Sequence, residues 1–290
     1  MKTYLIYNPL AGNGDSRACA EQIASLYEGE VLYLDITQIE DPKAFLSELS
    51  AEDRMVLCGG DGTVNRFVNA IEDVELPCEL LYYAIGTGND FLHDLDKKDG
   101  DPPFDLTPYL HNLPTVEVNG ERHRFLNGIG FGIDGYCCEV GDKQKAASDK
   151  PVNYTAIAIK GLLFHYKPAN ATVTVDGQTY SYKKVWLAAS MKGRFYGGGM
   201  MIAPDQDRLN GDGTVSVVVM HGSGKLKTLM VFPSIFKGEH VKHTEMVAVH
   251  TGKQVSVTFD RPCALQVDGE TFLNVTEYRV SAGVRVPAKA

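Results

Sequence analysis

The stretch MVLCGGDGTVNRFVNAI, residues 55–71, contains an apolar run, a glycine-rich turn and an apolar-periodic segment. A strand that leads through such a turn into a helix is typical of parallel α/β sheets, in which these turns lie at the carboxyl edge and bind ligands. The backbone amides of the turn and the positive end of the helix dipole favour an anion such as phosphate. Asp61 lies in the middle of the turn, where its carboxylate would repel a phosphate group directly. The stretch therefore predicts an α/β fold and leaves the role of Asp61 to be explained.

The alternation of strand and helix extends over the first 112 residues. Apolar runs such as KTYLIYN and ELLYYAIG are separated by helical stretches, which predicts a Rossmann-like α/β domain. From Thr115 onward hairpins replace this pattern, with predicted type I′ turns at Asn119-Gly120, Asp176-Gly177 and Asp268-Gly269. The second part is therefore predicted to be an antiparallel β-sandwich or barrel. We place the domains at residues 1–112 and 113–275, with the segment from about 276 to 290 returning to the first domain.

Composition excludes several classes of protein. The formal net charge of -9 argues against binding nucleic acid through global electrostatics. No apolar run is long enough to span a bilayer, and the first apolar run is too short for a signal peptide. The six cysteines show neither zinc spacing nor a CxxC pair, so we expect free thiols and a cytoplasmic protein.

Two further loops have the same arrangement as the first. GTGND, residues 86–90, follows a strand and leads into a helix, and NPLAGNG, residues 8–14, follows the first strand. Consecutive βα units place such loops along one edge of a sheet, so Asp61 and Asp90 are expected to share a site. Mg²⁺ would reconcile their carboxylates with phosphate, because this ion is commonly held by carboxylates together with substrate phosphates. The alternative is that Asp61 caps the helix that begins near Thr63.

Six motifs carry a resemblance to a known family. NPLAG, GGDGTVN, GTGND, NGIGFGID, GGGMMIAP with LNGDGTVSV, and QVDGE occur in the order and approximate spacing of the soluble bacterial diacylglycerol kinases. This resemblance covers nearly the whole chain. It implies an N-terminal α/β nucleotide domain, a C-terminal β-rich domain and a cleft between them where ATP meets a lipid alcohol.

The resemblance also implies a site. Asp61 and Asp90 would bind and orient Mg-ATP, and Glu270 of the VDGE motif would be the general base that accepts the proton of the lipid hydroxyl. The alternative for Glu270 is a solvated hairpin residue. Residues expected near ATP are Asn8, Gly12, Thr37, Gly59, Gly60, Asp61, Gly62, Thr63, Val64, Asn65 and Thr87.

A structural Mg²⁺ is implied for the segment APDQDRLNGDGTVSV. Asp212 would bind the ion together with the carbonyl groups of Leu209 and Thr214, and Asp134 would connect the ion to the active site through water. From the residues alone, an Asp-Gly turn at residues 212 and 213 that introduces a strand is the alternative.

The acceptor stays open at this point. The function that the sequence favours is an ATP-dependent lipid kinase acting on diacylglycerol. The alternatives are a related kinase of phosphatidylglycerol, sphingoid bases, polyprenols or NAD, and a non-catalytic lipid or nucleotide sensor. An apolar segment flanked by Lys225, Lys227 and Lys237 predicts transient contact with a membrane surface, with a core-packed helix as the alternative. Exposed strand edges are compatible with a homodimer. The chain departs from the usual family sequence at Arg66, Ala70, Leu92 and His93.

Overall fold

The computed structural model describes residues 1–9, 11, 16–72, 74–85, 89–148 and 150–283. The chain divides into two compact units, Met1–His111 and Asn112–Ala290. The predicted boundary at residue 112 thus differs from the observed one by a single residue.

The first unit contains the predicted α/β sheet. Its strands are β1 (Lys2–Tyr7), β2 (Glu30–Asp35), β3 (Arg54–Gly59), β4 (Glu79–Ala84) and β5 (Phe104–Asp105), and their order in the sheet is β2-β1-β3-β4-β5. The first four strands run parallel, and β5 is antiparallel to β4. Its helices are α1 (Ser16–Ile23), α2 (Pro42–Ser47), α3 (Asp61–Ile71), α4 (Asp90–Asp94) and α5 (Thr107–Leu110).

The central strand β3 is covered on both faces, which explains its continuous apolar run. Val56 and Cys58 pack with Ala20 and Ile23 of α1 on one face. Tyr82 of the neighbouring strand packs against aromatic rings that include Phe91 and Phe104, with ring centroids 5.8 and 5.7 Å from its own. Helix α3 buries Val64, Phe67, Val68 and Ile71, which recur at helical spacing.

The second unit is built around a ten-stranded antiparallel sheet. Its strands are β6 (Thr115–Val118), β7 (Glu121–Arg124), β8 (Gly128–Gly132), β9 (Ala169–Val175), β10 (Gln178–Val185), β11 (Leu187–Met191), β14 (Val215–Met220), β15 (Val247–Gly252), β16 (Gln254–Val267) and β17 (Glu270–Ser281), and a separate pair is formed by β12 (Phe195–Tyr196) and β13 (Met200–Met201). The main path through the sheet is β15-β14-β11-β8-β16-β17-β6-β7, and β9 joins β16 to β10. The α/β plus antiparallel β fold class predicted from the sequence is confirmed.

Helices cover one face of this sheet. They are α6 (Ile133–Ala147), α7 (Tyr154–Lys160), which continues into a π-helical turn at Gly161–His165, and α8 (Lys225–Val231), followed by 3-10 turns at Phe232–Lys237 and Glu239–Lys242. Alternation along β11 assigns its residues to two cores: Leu187 and Ala189 pack with the helices, whereas Ala188 packs in the core formed by the strands. Among the described residues no helix has the length and apolar character needed to cross a bilayer.

The three predicted hairpin turns are confirmed. Their residues have positive φ at both central positions: 51° and 84° at Asn119-Gly120, 48° and 84° at Asp176-Gly177, and 45° and 91° at Asp268-Gly269. Positive φ at both positions defines the type I′ turn, whose twist matches that of the flanking strands.

The predicted return of the C-terminal segment to the first domain does not hold for residues 276–283. Strand β17 pairs with β16 along its length and with β6 near its end, where Ser281 lies opposite Thr115. These hydrogen bonds keep the segment in the second unit. Residues 284–290 lie outside the described residues.

Candidate active site

The parallel register brings three of the predicted loops to one edge of the first sheet. Tyr7 pairs with Cys58, and Gly59 pairs with Ala84, so β1, β3 and β4 end at the same level. Asn8, Asp61 and Asp90 follow these strands, as the sequence predicts. Gly12 and Thr87, also expected near ATP, lie outside the described residues.

Asn8 and Thr63 connect the first loop to the second. The Asn8 side-chain amide donates to Thr63 Oγ1 over 2.9 Å, and both residues are buried. A Cβ on Gly59 would stand 2.4 Å from the same Thr63 Oγ1, so only glycine at position 59 allows this approach. The backbone N–H of Thr63 donates to Gly60 O at 2.9 Å, which begins the helix. The GGDGT motif therefore places the Asn8 and Thr63 side chains together at the start of α3.

Asp61 joins the second loop to the third. Gly60 is the N-cap residue of α3 and Asp61 is the first residue of that helix. The Asp61 Oδ2 accepts from the backbone N–H of Phe91 at 3.1 Å, in the first turn of α4. Asp61 thus stabilises the start of the following helix, which neither of the two sequence interpretations included. The expected proximity of the Asp61 and Asp90 loops is present.

Tyr82 lies beneath these loops. Its hydroxyl donates to Gly59 O at 2.9 Å and lies 3.3 Å from Asn89 Oδ1. Burial, followed by the negative charge of Asp61, raises the pKa of Tyr82 well above its ordinary value. Tyr82 therefore remains a protonated donor that supports the backbone of the glycine turn.

The other residues expected near ATP have varied surroundings. Thr37 follows β2, and its hydroxyl donates to Asp35 Oδ1 at 2.7 Å. Val64 is fully buried in the core, and the buried Asn65 accepts from Asn69 Nδ2 through its backbone and side-chain oxygens. Gly62 is exposed, and a Cβ on it would meet nothing within 4 Å. Contact of these residues with ATP stays a prediction.

Four positions depart from the usual family sequence, and three of them are exposed. Leu92 is buried in the first unit, whereas Arg66, Ala70 and His93 are exposed. Three of these departures therefore change the surface of α3 and α4 and leave the loop framework intact.

Glu270 in the second unit begins β17 directly after the type I′ turn. It is exposed and pairs with Val267. The preceding Asp268 carboxylate accepts from the backbone N–H groups of Leu126, Asn127 and Gly128, the last two at 2.9 Å. The N–H of Gly269 donates to Gln266 Oε1 at 2.8 Å. These bonds fix the backbone of the hairpin that carries the exposed Glu270. The sequence predicted the turn but not the bonds that hold it.

Asp134 is a buried carboxylate in the first turn of α6. Its Oδ2 has no hydrogen-bond partner within the described part of the chain, and burial raises its pKa to about 7. A Cβ on Gly130 would stand 2.7 Å from this Oδ2 and 2.8 Å from Gln266 Nε2, so glycine makes room for both groups. Asp134 and Gln266, the residue that accepts from the Gly269 N–H, therefore both lie beside Gly130.

The loop at residues 207–214, for which the resemblance implies a structural magnesium, is held by hydrogen bonds within the protein. The Thr214 carbonyl already accepts from Gln206 Nε2 at 2.9 Å and from Asn210 Nδ2 at 3.1 Å. Asp212 is exposed, and Asn210 Oδ1 accepts from the Thr214 N–H at 2.9 Å. In the ranges that the structure describes, no group of three or more His, Cys, Asp or Glu side chains could hold a metal ion. Side-chain amides thus close the loop, and the predicted ion at Leu209, Asp212 and Thr214 stays a prediction.

The chain also matches known families. The diacylglycerol kinase catalytic domain matches residues 2–113, and the YegS C-terminal NAD kinase beta sandwich-like domain matches residues 127–282. The chain belongs to this diacylglycerol kinase-related family. The two matches correspond to the two units of the structure and together cover most of the chain.

Individual relatives share about a quarter of their residues with this family member. YtlR of Bacillus subtilis (strain 168), provisionally named a lipid kinase, is 26% identical over 87% of this chain and 82% of its own length. A protein of Mycobacterium tuberculosis (strain ATCC 25618 / H37Rv) named diacylglycerol kinase is 25% identical over 84% and 81%. The crystal structure of a Bacillus anthracis str. Sterne protein, provisionally named a diacylglycerol kinase, has a TM-score of 0.68 at 22% identity and covers 97% of this chain and 92% of that one. The last comparison supports the fold alone.

Proposed function

We propose that the protein is an ATP-dependent lipid kinase that transfers the γ-phosphoryl group of ATP to a lipid hydroxyl, with diacylglycerol as the first acceptor to test. The observation that carries the proposal is the bond from Phe91 N–H to Asp61 Oδ2, because it joins the GGDGT motif to the residue that directly follows the GTGND motif. The name of the mycobacterial relative supports diacylglycerol as the acceptor.

ATP would bind at the loops that follow β1, β3 and β4. The amides at the start of α3 face the carboxyl edge, where phosphate oxygens are stabilised by N–H groups and by the helix dipole. Asp61 and Asp90, which follow β3 and β4, would hold Mg²⁺ together with the phosphates. When bound, the ion neutralises phosphate charge and orients the phosphoryl group. Tyr82, Asn8 and Thr63 keep the loops in place around it.

Glu270 would be the general base. The lipid hydroxyl oxygen forms a bond to the γ-phosphorus, the bond from that phosphorus to the β,γ-bridging oxygen breaks, and ADP leaves with the electron pair. The proton of the hydroxyl passes to the Glu270 carboxylate. An exposed carboxylate on a rigid hairpin suits this transfer, since a base must be within hydrogen-bond reach of the proton it accepts.

The substitution Glu270→Gln tests this role. It removes the base but keeps the size of the side chain, so transfer to lipid should fall by roughly 10²-fold or more while ATP affinity is unchanged. Glu277→Gln on the same strand is the control, because Glu277 forms an ion pair with Arg279 on the surface. Normal turnover of the Glu270→Gln protein would show that Glu270 is not the general base.

We also propose that α8 and the turn at Gly161–His165 contact an anionic membrane surface. Three large apolar side chains are highly exposed there: Phe164 at 71%, Leu226 at 72% and Met230 at 74%. Lys225 Nζ donates to Leu163 O at 2.8 Å, which holds the start of α8 beside the turn that carries Phe164. Apolar side chains among lysines are typical of interfacial helices and complement anionic lipid, even in a chain with a net charge of -9.

Co-sedimentation with phosphatidylglycerol-containing vesicles tests this surface. The double substitution Leu226→Ser with Met230→Ser should release the protein from vesicles, whereas Leu26→Ser, at an exposed leucine of the first unit, should not. Equal sedimentation of both variants and the wild type would exclude α8 as the contact. Self-association stays a prediction that sizing of the purified protein can check.

The acceptor itself requires a direct assay. The protein is incubated with labelled ATP, Mg²⁺ and each of diacylglycerol, phosphatidylglycerol, sphingosine, undecaprenol and NAD. Label in phosphatidic acid supports the proposal, and label in another product identifies a related kinase. Absence of product from every acceptor would contradict the enzyme function.

A further inference from the structure

Lys192 is a buried lysine whose ammonium group makes no hydrogen bond to any residue that the structure describes. It directly follows β11, and its exposed fraction is 0%. Within the described part of the chain, its Nζ makes no hydrogen bond. Removing an ammonium group from water without giving it a hydrogen-bond acceptor is unfavourable, and buried groups of this kind are found most often at functional sites.

A second cation, Arg208, lies nearby and is fixed in position. Its guanidinium donates to Leu126 O at 2.7 Å and to Asn127 Oδ1 at 2.8 Å, and the residue is 4% exposed. The backbone N–H of Lys192 donates to Asn127 O at 2.9 Å. Both cationic residues are therefore anchored to the short segment before β8.

The surroundings of Lys192 lower its pKa but leave the ammonium mostly protonated at neutral pH. Burial first, and then the positive charge of Arg208, lower the pKa of Lys192 to about 8, whereas Asp207 raises it. The Asp207 carboxylate also accepts from the Leu209 N–H at 2.9 Å. The ammonium thus remains mostly protonated at neutral pH beside a second positive charge, an arrangement that favours an incoming anion.

The same segment supports the proposed base. Leu126, Asn127 and Gly128 donate their N–H groups to Asp268, two residues before Glu270. The Arg208 guanidinium and the backbone N–H of Lys192 hold the carbonyl groups of this segment, and the Asp268 carboxylate holds its N–H groups. Lys192, Arg208 and the hairpin of Glu270 therefore belong to one hydrogen-bonded framework within the second unit.

We propose that Lys192, with Arg208 beside it, binds the oxygens of a phosphate ester carried by the lipid substrate or product. Its assignment to a lipid rests on the proposed kinase function. Ammonium and guanidinium groups make strong, charge-assisted hydrogen bonds to phosphate oxygens, and a buried setting strengthens them further. Two sources have this chemistry: the phosphomonoester formed by transfer, and the phosphodiester of an anionic acceptor lipid.

Isothermal titration calorimetry with glycerol 3-phosphate measures binding at this site without requiring turnover. Lys192→Met should weaken binding at least about tenfold, since hydrogen bonds to charged groups contribute on this scale. Lys183→Met is the matched control, because Lys183 is an exposed lysine of the preceding strand β10. The Lys183→Met protein should bind glycerol 3-phosphate with the affinity of the wild type. Equal affinity of all three proteins, or no binding by any of them, would overturn the proposal.

Thermal stability separates a binding lysine from a structural one. Replacing a buried, unpartnered charge with an apolar side chain of similar length should raise the melting temperature of Lys192→Met by a few degrees while binding falls. A lowered melting temperature together with lost binding would assign Lys192 to maintenance of the fold and would contradict the proposal.

Turnover then identifies the source of the phosphate. If Lys192→Met raises KM for phosphatidylglycerol but not for diacylglycerol, the site binds the head group of an anionic acceptor. If it lowers kcat with both acceptors and weakens inhibition by phosphatidic acid, the site binds the transferred group. Unchanged kinetics with both would refute the lipid assignment. A wild-type protein that binds glycerol 3-phosphate through Lys192 but phosphorylates no lipid would refute the kinase function alone.

Discussion

The carboxylate of Asp61 accepts a hydrogen bond from the backbone N–H of Phe91, 30 residues later in the chain. A residue of the glycine turn after β3 thereby holds the helix after β4. Charge and hydrogen bonding can be separated at this position, because Asn keeps an acceptor oxygen and loses the charge, whereas Ala loses both.

We expect Asp61→Asn to abolish phosphoryl transfer with little change in stability. Asp61→Ala should also abolish transfer and should lower the free energy of unfolding by about 1 kcal/mol, the usual contribution of a helix-capping side chain. Denaturant unfolding and a labelled-ATP assay measure the two effects. Wild-type turnover by Asp61→Asn would show that the carboxylate serves the fold alone.

Gly59 and Gly62 form a matched pair. A Cβ on Gly59 would overlap Thr63 Oγ1 at 2.4 Å, whereas a Cβ on Gly62 would meet nothing within 4 Å. Gly59→Ala should therefore displace Thr63 from Asn8, lower the free energy of unfolding by about 1–3 kcal/mol and weaken ATP binding. Gly62→Ala should retain wild-type stability. Similar unfolding midpoints for the two variants would contradict the close approach.

Asp268 holds the hairpin that carries Glu270. Asp268→Ala would leave the N–H groups of Leu126, Asn127 and Gly128 without this acceptor, so the free energy of unfolding should fall by roughly 2–3 kcal/mol. Activity should fall as well, because Glu270 loses its fixed backbone, while ATP affinity stays unchanged. Full activity in a destabilised Asp268→Ala protein would separate the hairpin from the chemistry.

His240 makes the free energy of unfolding depend on pH. It is fully buried, its Nε2 lies 3.0 Å from Ile202 O, and burial lowers its pKa to about 4. A lowered pKa in the folded state gives stability that is present above the ordinary value of 6.5 and is lost as pH falls through about 4.

His240→Gln should reduce this loss, because Gln can donate to Ile202 O and takes up no proton. The fall in unfolding free energy between pH 7 and pH 4 should be smaller than in the wild type, by up to roughly 3 kcal/mol. Melting curves at the two pH values measure it. Parallel acid profiles of the two proteins would show that His240 is protonated in the folded state as easily as in the unfolded one.

Asp212 should contribute little, because the loop around it is closed by Gln206 and Asn210. We expect Asp212→Ala to change the free energy of unfolding by no more than about 0.5 kcal/mol, as for other exposed substitutions. Added Mg²⁺ should give both proteins the same melting temperature. A magnesium-dependent increase confined to the wild type would instead establish the implied ion.

Local rules were sufficient for the parallel α/β sheet of the first unit and for the turns of the second. Glycine after Asn or Asp predicted the type I′ turns at Asn119, Asp176 and Asp268, because positive φ is a property of those residues themselves. The site required distant contacts. The partner of Asp61 is an N–H group in another helix, and sequence spacing gives no information about such a bond.

Lys192 shows why burial was the hardest property to predict. In MKGRFYGGGMM it lies in a glycine-rich stretch of the kind that is typical of an exposed loop, and lysine is usually exposed. Its backbone N–H donates to Asn127 O, which extends the pairing of β11 with β8 by one residue and keeps Lys192 beside the sheet. The buried charge therefore became visible only when the strands were placed together.

The pairing of Thr115 with Ser281 has a consequence for synthesis of the protein. The first unit contains all its strands once residue 105 has been made, so it can fold while the ribosome is still translating the rest. The second unit cannot complete its sheet until β17 has been synthesised, because β17 lies between β16 and β6. A nascent chain that stalls before β17 would present two unpaired strand edges, and these are the surfaces through which a nascent chain aggregates or recruits chaperones.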